Sequence, residues 1–253
     1  MKKLILVIIV FIANLAQADC FLAQEKDKIL IQEGECKTAY APACSFNFAL
    51  SLMGFDSGIL LDEYNPKWSN DDPNIFPNAC KGNQSPSSWI KNSCVWYSKE
   101  LTSKLGMQKF QKYVTNFNYG NMDLSGGLTE AWISSSLKIS PIEQIEFLQK
   151  IVRQKLPVSK KSYENTKKIM FVQEMSSGWK LYGKTGLSTL RDKNGNLTDL
   201  HNGWFIGYIE KNGRTIEFAS HIVDTKKQNS FASFRAKNEA LTKLWYLIDN
   251  LEK

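Results

Sequence analysis

The chain has 253 residues with 32 Lys and Arg against 25 Asp and Glu, a formal charge of +7. Its 43% apolar and 23% charged residues are globular proportions and exclude a disordered or fibrous chain. The cations are spread along the sequence rather than gathered on one element, so no nucleic-acid partner is read. Two histidines, His201 and His221, exclude a histidine-rich zinc site.

Lys2 and Lys3 precede an apolar run from Leu4 to Ala13, and Ala16-Gln17-Ala18 has the small-x-small pattern of a signal-peptidase site. The run is shorter than the roughly 20 residues of a spanning helix. Residues 1–18 are therefore predicted to be a cleaved export signal, residues 19–253 the folded domain, and the destination secreted and periplasmic. Asp19 ahead of Cys20 opposes a lipid anchor. No later segment is apolar enough to cross a bilayer, so no stable membrane span is expected after cleavage.

All five cysteines (Cys20, Cys36, Cys44, Cys80, Cys94) lie beyond the signal, in a chain bound for an oxidising compartment. Five is odd, so at least one has no partner within the chain. Cys20 and Cys36 flank turns around a strand at 29–32. A disulfide between them and two buried thiols are both compatible with that arrangement.

Phe46, Ala49, Leu50, Leu52 and Met53 predict a buried helix ending near Gly54 to Gly58. Glu63 to Ser88 holds Pro66, Pro73, Pro77 and Pro86 among many Asn, Asp and Ser, the composition of a long irregular loop; Asp71 and Asp72 fall in it as solvated residues. From Trp89 to about Gln154 the pattern is helical, broken at 118–121 and 125–127. Strands follow at 180–182, 204–210 and 215–220, with turns at 192–196, 202–203 and 211–213. Ala236, Ala240, Leu241, Leu244, Trp245 and Ile248 form the apolar stripe of a final helix over 232–251. Strands, helices, strands and a last helix predict an α+β fold. The sheet lobe takes about 19–43 and 178–253, and an inserted helical lobe takes about 44–177.

Lys184-Thr185-Gly186 alone is a weak signal, as are Ser93-Cys94-Val95 and Tyr119-Gly120-Asn121. Their order, with a helix start at Cys44 upstream, resembles the penicillin-recognising enzymes. Further segments narrow the resemblance to the class D β-lactamases, the oxacillinase (OXA-type) family. These are Ala49 to Asp56, Trp89 with Ser93-Cys94-Val95-Trp96, Phe117 to Asn121, Leu128 to Trp132, Leu137 to Ser140 and Asn202 to Gly207. The resemblance covers nearly all of residues 19–253. It implies the β-lactamase/transpeptidase-like fold, an antiparallel sheet with flanking helices plus a helical lobe, and β-lactams as ligands.

The family's first motif is Ser-x-x-Lys. Here Cys44-Ser45-Phe46-Asn47 stands in its place, and sliding one residue to Ser45 puts Phe48 at the lysine position. In the family that lysine forms a carbamate, held partly by a Trp indole, which deprotonates the nucleophile and later the deacylating water. A carboxamide can neither form a carbamate nor act as a base near neutral pH, so no carbamate cofactor is expected at Asn47. It could still hydrogen-bond Trp132. A helix N-terminus and Lys184 are expected to lower the Cys44 thiol pKa; an inert or disulfide-bonded Cys44 is the competing expectation.

The resemblance further implies Ser93 as a proton shuttle to the leaving nitrogen, Lys184 as its electrostatic partner and Thr185 as a carboxylate ligand. Backbone N–H groups of Cys44 and Leu187 would form an oxyanion hole. Trp89 would line the entrance, with Val95, Trp132 and Gly186 as further substrate-binding positions. The Arg that many relatives place before the last helix is replaced by Phe231, with Arg235 four residues on. His201 and His221 are expected to be structural or exposed, with no metal site. The expected function is slow acylation by penicillin-type β-lactams with little or no hydrolysis. The alternatives are an active β-lactamase working through Cys44 and a non-catalytic periplasmic binding protein; the oligomeric state is left open.

Overall fold

A computed structural model describes residues 19–252, so the export signal read at 1–18 lies outside the described residues. β1 (Cys20–Glu25) and β2 (Lys28–Gly34) form a hairpin. The chain then enters a 3₁₀ turn, Ala43–Phe46, that continues as α1 (Asn47–Asp56). β3 (Trp68–Asn70) and β4 (Gly82–Gln84) pair as a small ladder. The helical lobe follows as α2 (Pro86–Asn92), α3 (Val95–Leu105), α4 (Met107–Phe117), α5 (Ala131–Ser134), α6 (Pro141–Val152) and α7 (Lys160–Met170). β5 (Phe171–Glu174), β6 (Lys180–Arg191), β7 (Leu197–Lys211) and β8 (Arg214–Val223) complete the sheet, and α8 (Ala232–Leu251) closes it.

The six strands lie in the order β2-β1-β8-β7-β6-β5, every neighbouring pair antiparallel. Alternation along each strand sends neighbouring side chains to opposite faces. Leu22 and Ile206 face the helical lobe, where they share a core with Phe46, Leu50, Trp89 and Trp132. Phe21, Phe205 and Phe218 face the other way and pack under Ala236, Ala240 and Leu244 of α8; Trp245, read as part of that stripe, is instead exposed. The architecture is α+β, as the patterning indicates.

Several boundaries differ from the sequence reading. Lys184-Thr185-Gly186 does not follow a strand but lies inside β6, and Asn202-Gly203 lies inside β7 rather than in a turn. Glycine looks like a strand breaker, yet here it is required by close approach. A Cβ at 203 would fall 2.1 Å from the Ala232 carbonyl carbon at the start of α8. The loop expected over 63–88 carries the β3–β4 ladder and yields to α2 at Pro86. That proline is the first helical residue, behind a capping box made by Ser85 and Ser88. α7, polar on most of its surface, is not visible in the patterning, and it leads directly into β5 within the segment 44–177.

Two disulfides join Cys20 to Cys36 and Cys80 to Cys94, with Cα atoms 5.1 and 5.3 Å apart. The first ties the start of β1 to the chain beyond β2; the second pins the α2–α3 junction to the preceding loop. Cys44 is left as the free cysteine, which removes the disulfide-bonded alternative for it.

Candidate active site

The chain reaches Cys44 through a tightly held approach. The Trp204 indole donates to the Ala41 carbonyl at 3.0 Å, and the Ser45 amide and hydroxyl both donate to the Pro42 carbonyl, at 3.1 and 2.7 Å. Ala43 adopts φ 47°, a left-handed conformation in a non-glycine residue, the kind of strain that persists where the surroundings enforce it. Ala43, Ser45 and Phe46 are buried while Cys44 is half-buried. Ser45 also accepts from Gln144 at 3.1 Å. Being wholly buried and doubly bonded, it is not an alternative nucleophile.

β6 forms the facing wall. A Cβ at Gly186 would lie 2.5 Å from the Pro42 oxygen and 2.8 Å from the Ser45 nitrogen. Only glycine lets the strand run this close to the turn. Lys184, on the same face of β6 as Gly186, is 4% exposed. Its ammonium donates to Ser93 Oγ at 2.5 Å, to the Thr185 carbonyl at 3.1 Å and to Thr185 Oγ1 at 3.4 Å. Ser93 reaches it from a left-handed position at the end of α2, φ 58°, held beside the Cys80–Cys94 disulfide. Val95 starts α3 half-buried, and Thr185 and Leu187 are half-buried on β6.

Charge and burial set the state of this pair. Burial pushes the Cys44 thiol up and the Lys184 ammonium down, while each group's charge partly opposes the shift of the other. The expected lowering of the Cys44 pKa is therefore corrected: Lys184 does pull it down, but desolvation outweighs that pull. The neutral thiol and neutral amine are both favoured relative to water.

Asn47 opens α1 and is wholly buried. The Trp89 indole donates to Ser98 Oγ at 2.9 Å, and Ser98 in turn donates to Asn47 Oδ1 at 3.3 Å. Trp89 has only a donor to offer, which fixes the direction of the relay. Asn47 Nδ2 has no hydrogen-bond partner among the described residues. The expected bond from Asn47 to Trp132 is not formed. Trp132 instead packs on Phe46 and Phe110, with ring centroids 5.8 and 5.9 Å away.

Trp89, read as an entrance residue, is fully buried and stacks on Tyr97; its place is structural. Ser98 was not singled out in the sequence, although it lies three residues beyond Val95 on the face of α3 that turns inward. Arg235 is ion-paired with the buried Asp224, so it offers no grip on a ligand beside Thr185. Phe231, the N-cap residue of α8, is 41% exposed and makes no side-chain capping hydrogen bond. Lys237, also overlooked, lines the same cleft as Lys184 and Thr185. His201 is half-buried with its Nδ1 3.7 Å from Asp224 Oδ2, and His221 is buried between Trp204 and Tyr40. Among the described residues no cluster of three or more His, Cys, Asp or Glu could hold a metal, and no helix is long and apolar enough to cross a membrane.

Residues 14–244 match the family described as the penicillin-binding protein transpeptidase domain. The chain is 40% identical over 230 residues to beta-lactamase OXA-9 of Klebsiella pneumoniae, covering 87% of this chain and 84% of that protein. It is 40% identical over 217 residues to beta-lactamase OXA-1 of Escherichia coli, covering 83% and 76%. The fold superposes on the crystal structure of OXA-427 class D β-lactamase with a TM-score of 0.85, at 37% identity and over 92% and 99% of the two chains. It also superposes on the C-terminal domain of the Bacillus licheniformis BlaR penicillin-receptor, with a TM-score of 0.80 at 28% identity over 90% and 89%.

Proposed function

The chain belongs to the penicillin-binding transpeptidase family and, within it, to the class D β-lactamases, and from that premise we propose that it is slowly acylated by penicillin-type β-lactams and scarcely turns them over. The Cys44 sulfur attacks the lactam carbonyl carbon, the carbonyl–nitrogen bond breaks, and the thiol proton passes by way of Ser93 and Lys184 to the ring nitrogen. The product is a thioester on Cys44. Backbone N–H groups of Cys44 and Leu187 would hold the oxyanion, and Thr185 would take the ligand's carboxylate, with Val95 and Gly186 shaping the pocket and the buried Trp132 supporting it from the core.

Hydrolysis of that thioester needs a deprotonated water. The observation that carries the reading is the surroundings of Asn47: a carboxamide bonded to a serine that is itself bonded to an indole, a relay with no ionisable member. A missing general base costs about 10²–10⁴ in rate. The raised thiol pKa slows acylation as well. The likeness to a penicillin-receptor domain supports a role in which the adduct persists. Export is part of the proposal; two disulfides suit an oxidising compartment.

One observation favours turnover through Cys44 instead. Burial drives Lys184 toward the neutral amine, which is able to accept a proton. The double variant Cys44→Ser with Asn47→Lys separates the readings. In bicarbonate buffer it should hydrolyse a chromogenic cephalosporin at least 100-fold faster than wild type. Wild-type hydrolysis already at that level overturns the proposal.

A further inference from the structure

A recess of about 270 Å³ lies where α1, the end of α6, α7, β7 and β8 meet, and no residue assigned to acylation lines it. Phe48, Ile151, Tyr163 and Tyr208 give it an apolar, largely aromatic lining, and each of the four is at most 7% exposed. Packing holds the rings in place. Tyr208 stacks on Tyr182 with centroids 4.9 Å apart, and the Tyr163 hydroxyl donates to the Leu156 carbonyl at 2.9 Å and accepts from the Leu156 amide at 2.7 Å. A preformed apolar recess with a few placed polar groups is the usual form of a small-molecule site.

The polar groups of the lining divide sharply. Tyr208 is 4% exposed, yet its hydroxyl has no hydrogen-bond partner among the described residues. Thr166, 1% exposed, likewise leaves its Oγ1 without a partner. Hydroxyls this deeply buried are normally paired. Burial and the Glu210 carboxylate both push the Tyr208 pKa up, so the phenol keeps its proton and stands ready as a donor. The charged groups, by contrast, are committed. Glu210 accepts from Lys167 at 2.7 Å and from the Tyr182 hydroxyl at 3.0 Å, and Glu164 has Lys160 at 3.7 Å. Lys167, the lysine of this lining, is thus already neutralised, and an anionic ligand would find no counter-charge.

We propose that this recess binds a small uncharged aromatic molecule bearing an oxygen acceptor, its ring against Phe48 and Tyr163 and its oxygen accepting from the Tyr208 hydroxyl. The site is independent of the acylation proposed for Cys44, since neither Cys44 nor Lys184 lines it.

The test is ligand-observed NMR titration of the full chain with phenol, with toluene and benzoate as comparators. Phenol should bind saturably. Toluene, which lacks the oxygen, should bind about fivefold more weakly, the loss of one neutral hydrogen bond. Benzoate should be weaker than phenol by about tenfold or more, because its charge is desolvated without a partner. Tyr208→Phe removes only the hydroxyl, and should reduce phenol affinity to that of toluene while leaving toluene unchanged. Val152→Trp, at a half-buried position on the lining, should abolish binding of both, with the wild-type melting temperature as the control for folding. The phenol–toluene comparison on Tyr208→Phe decides the matter even where Val152→Trp fails to fold. Phenol that does not saturate, that binds no better than toluene or benzoate, or that binds either folded variant as tightly as wild type overturns the site.

Discussion

At the scale of single residues, Cys44 and Lys184 hold opposite tendencies in one small volume. Because Lys184 lowers a thiol pKa that burial has raised, Lys184→Met should move the midpoint of Cys44 alkylation by iodoacetamide to higher pH than in wild type. Wild type itself should titrate above the ordinary thiol value of about 8.5. An unchanged midpoint in Lys184→Met would show that the two groups are not electrostatically linked. Ser98→Ala strands the Trp89 N–H and Asn47 Oδ1 without partners. It should cost about 1–3 kcal/mol in urea unfolding, the penalty of unsatisfied buried polar atoms. The proposed exchange of Ser and Lys for Cys44 and Asn47 is a reading of the sequence alone, in the register that the flanking motifs suggest. The sequence hides that Trp89 is buried and that Ser98 supports Asn47, since both depend on which way α2 and α3 face once packed.

At the scale of elements, the site is an approach between β6 and the 3₁₀ turn, and glycine permits it. Gly186→Ala would place a methyl group 2.5 Å from the Pro42 oxygen, forcing strand and turn apart. Overpacking of this kind costs about 1–3 kcal/mol, and the acylation rate should fall along with stability. Stopped-flow acylation and urea midpoints measured on the same variant check both. The final helix, the succession of strands, helices, strands and helix along the chain and the breaks near 118–121 are legible from periodicity and turn chemistry. The extent of β6 and β7 is not, because glycines that serve close packing look locally like breaks. Nor is α7, whose Ser162, Asn165 and Thr166 are buried polar residues that weaken its apolar signature.

At the scale of the whole molecule, two buried groups on the sheet set how stability responds to pH. Burial lowers His221 from 6.5 to about 3. The unfolded chain therefore takes up a proton there first, and this contribution is lost as pH falls from about 6.5 toward 3. Glu217 is raised by burial from 4.5 to about 7. Its folded carboxyl keeps a proton that the unfolded chain releases, so stability falls as pH rises from about 4.5 to 7. The slopes oppose one another between 4.5 and 6.5, where a plateau is expected; each amounts at most to about 1.4 kcal/mol per pH unit. Thermal melts across pH should show Glu217→Gln stabilised relative to wild type at pH 8 and unchanged near pH 4. A Glu217→Gln variant less stable than wild type at pH 8 would contradict this account of the carboxyl.

The most direct measurement of the chemistry is intact-protein mass spectrometry of the wild-type chain during incubation with benzylpenicillin, with peptide mapping of any adduct. The account expects one penicilloyl group to accumulate slowly on Cys44 and to persist long after free antibiotic is removed. Unmodified protein in a solution where many equivalents of the antibiotic have been hydrolysed would contradict it.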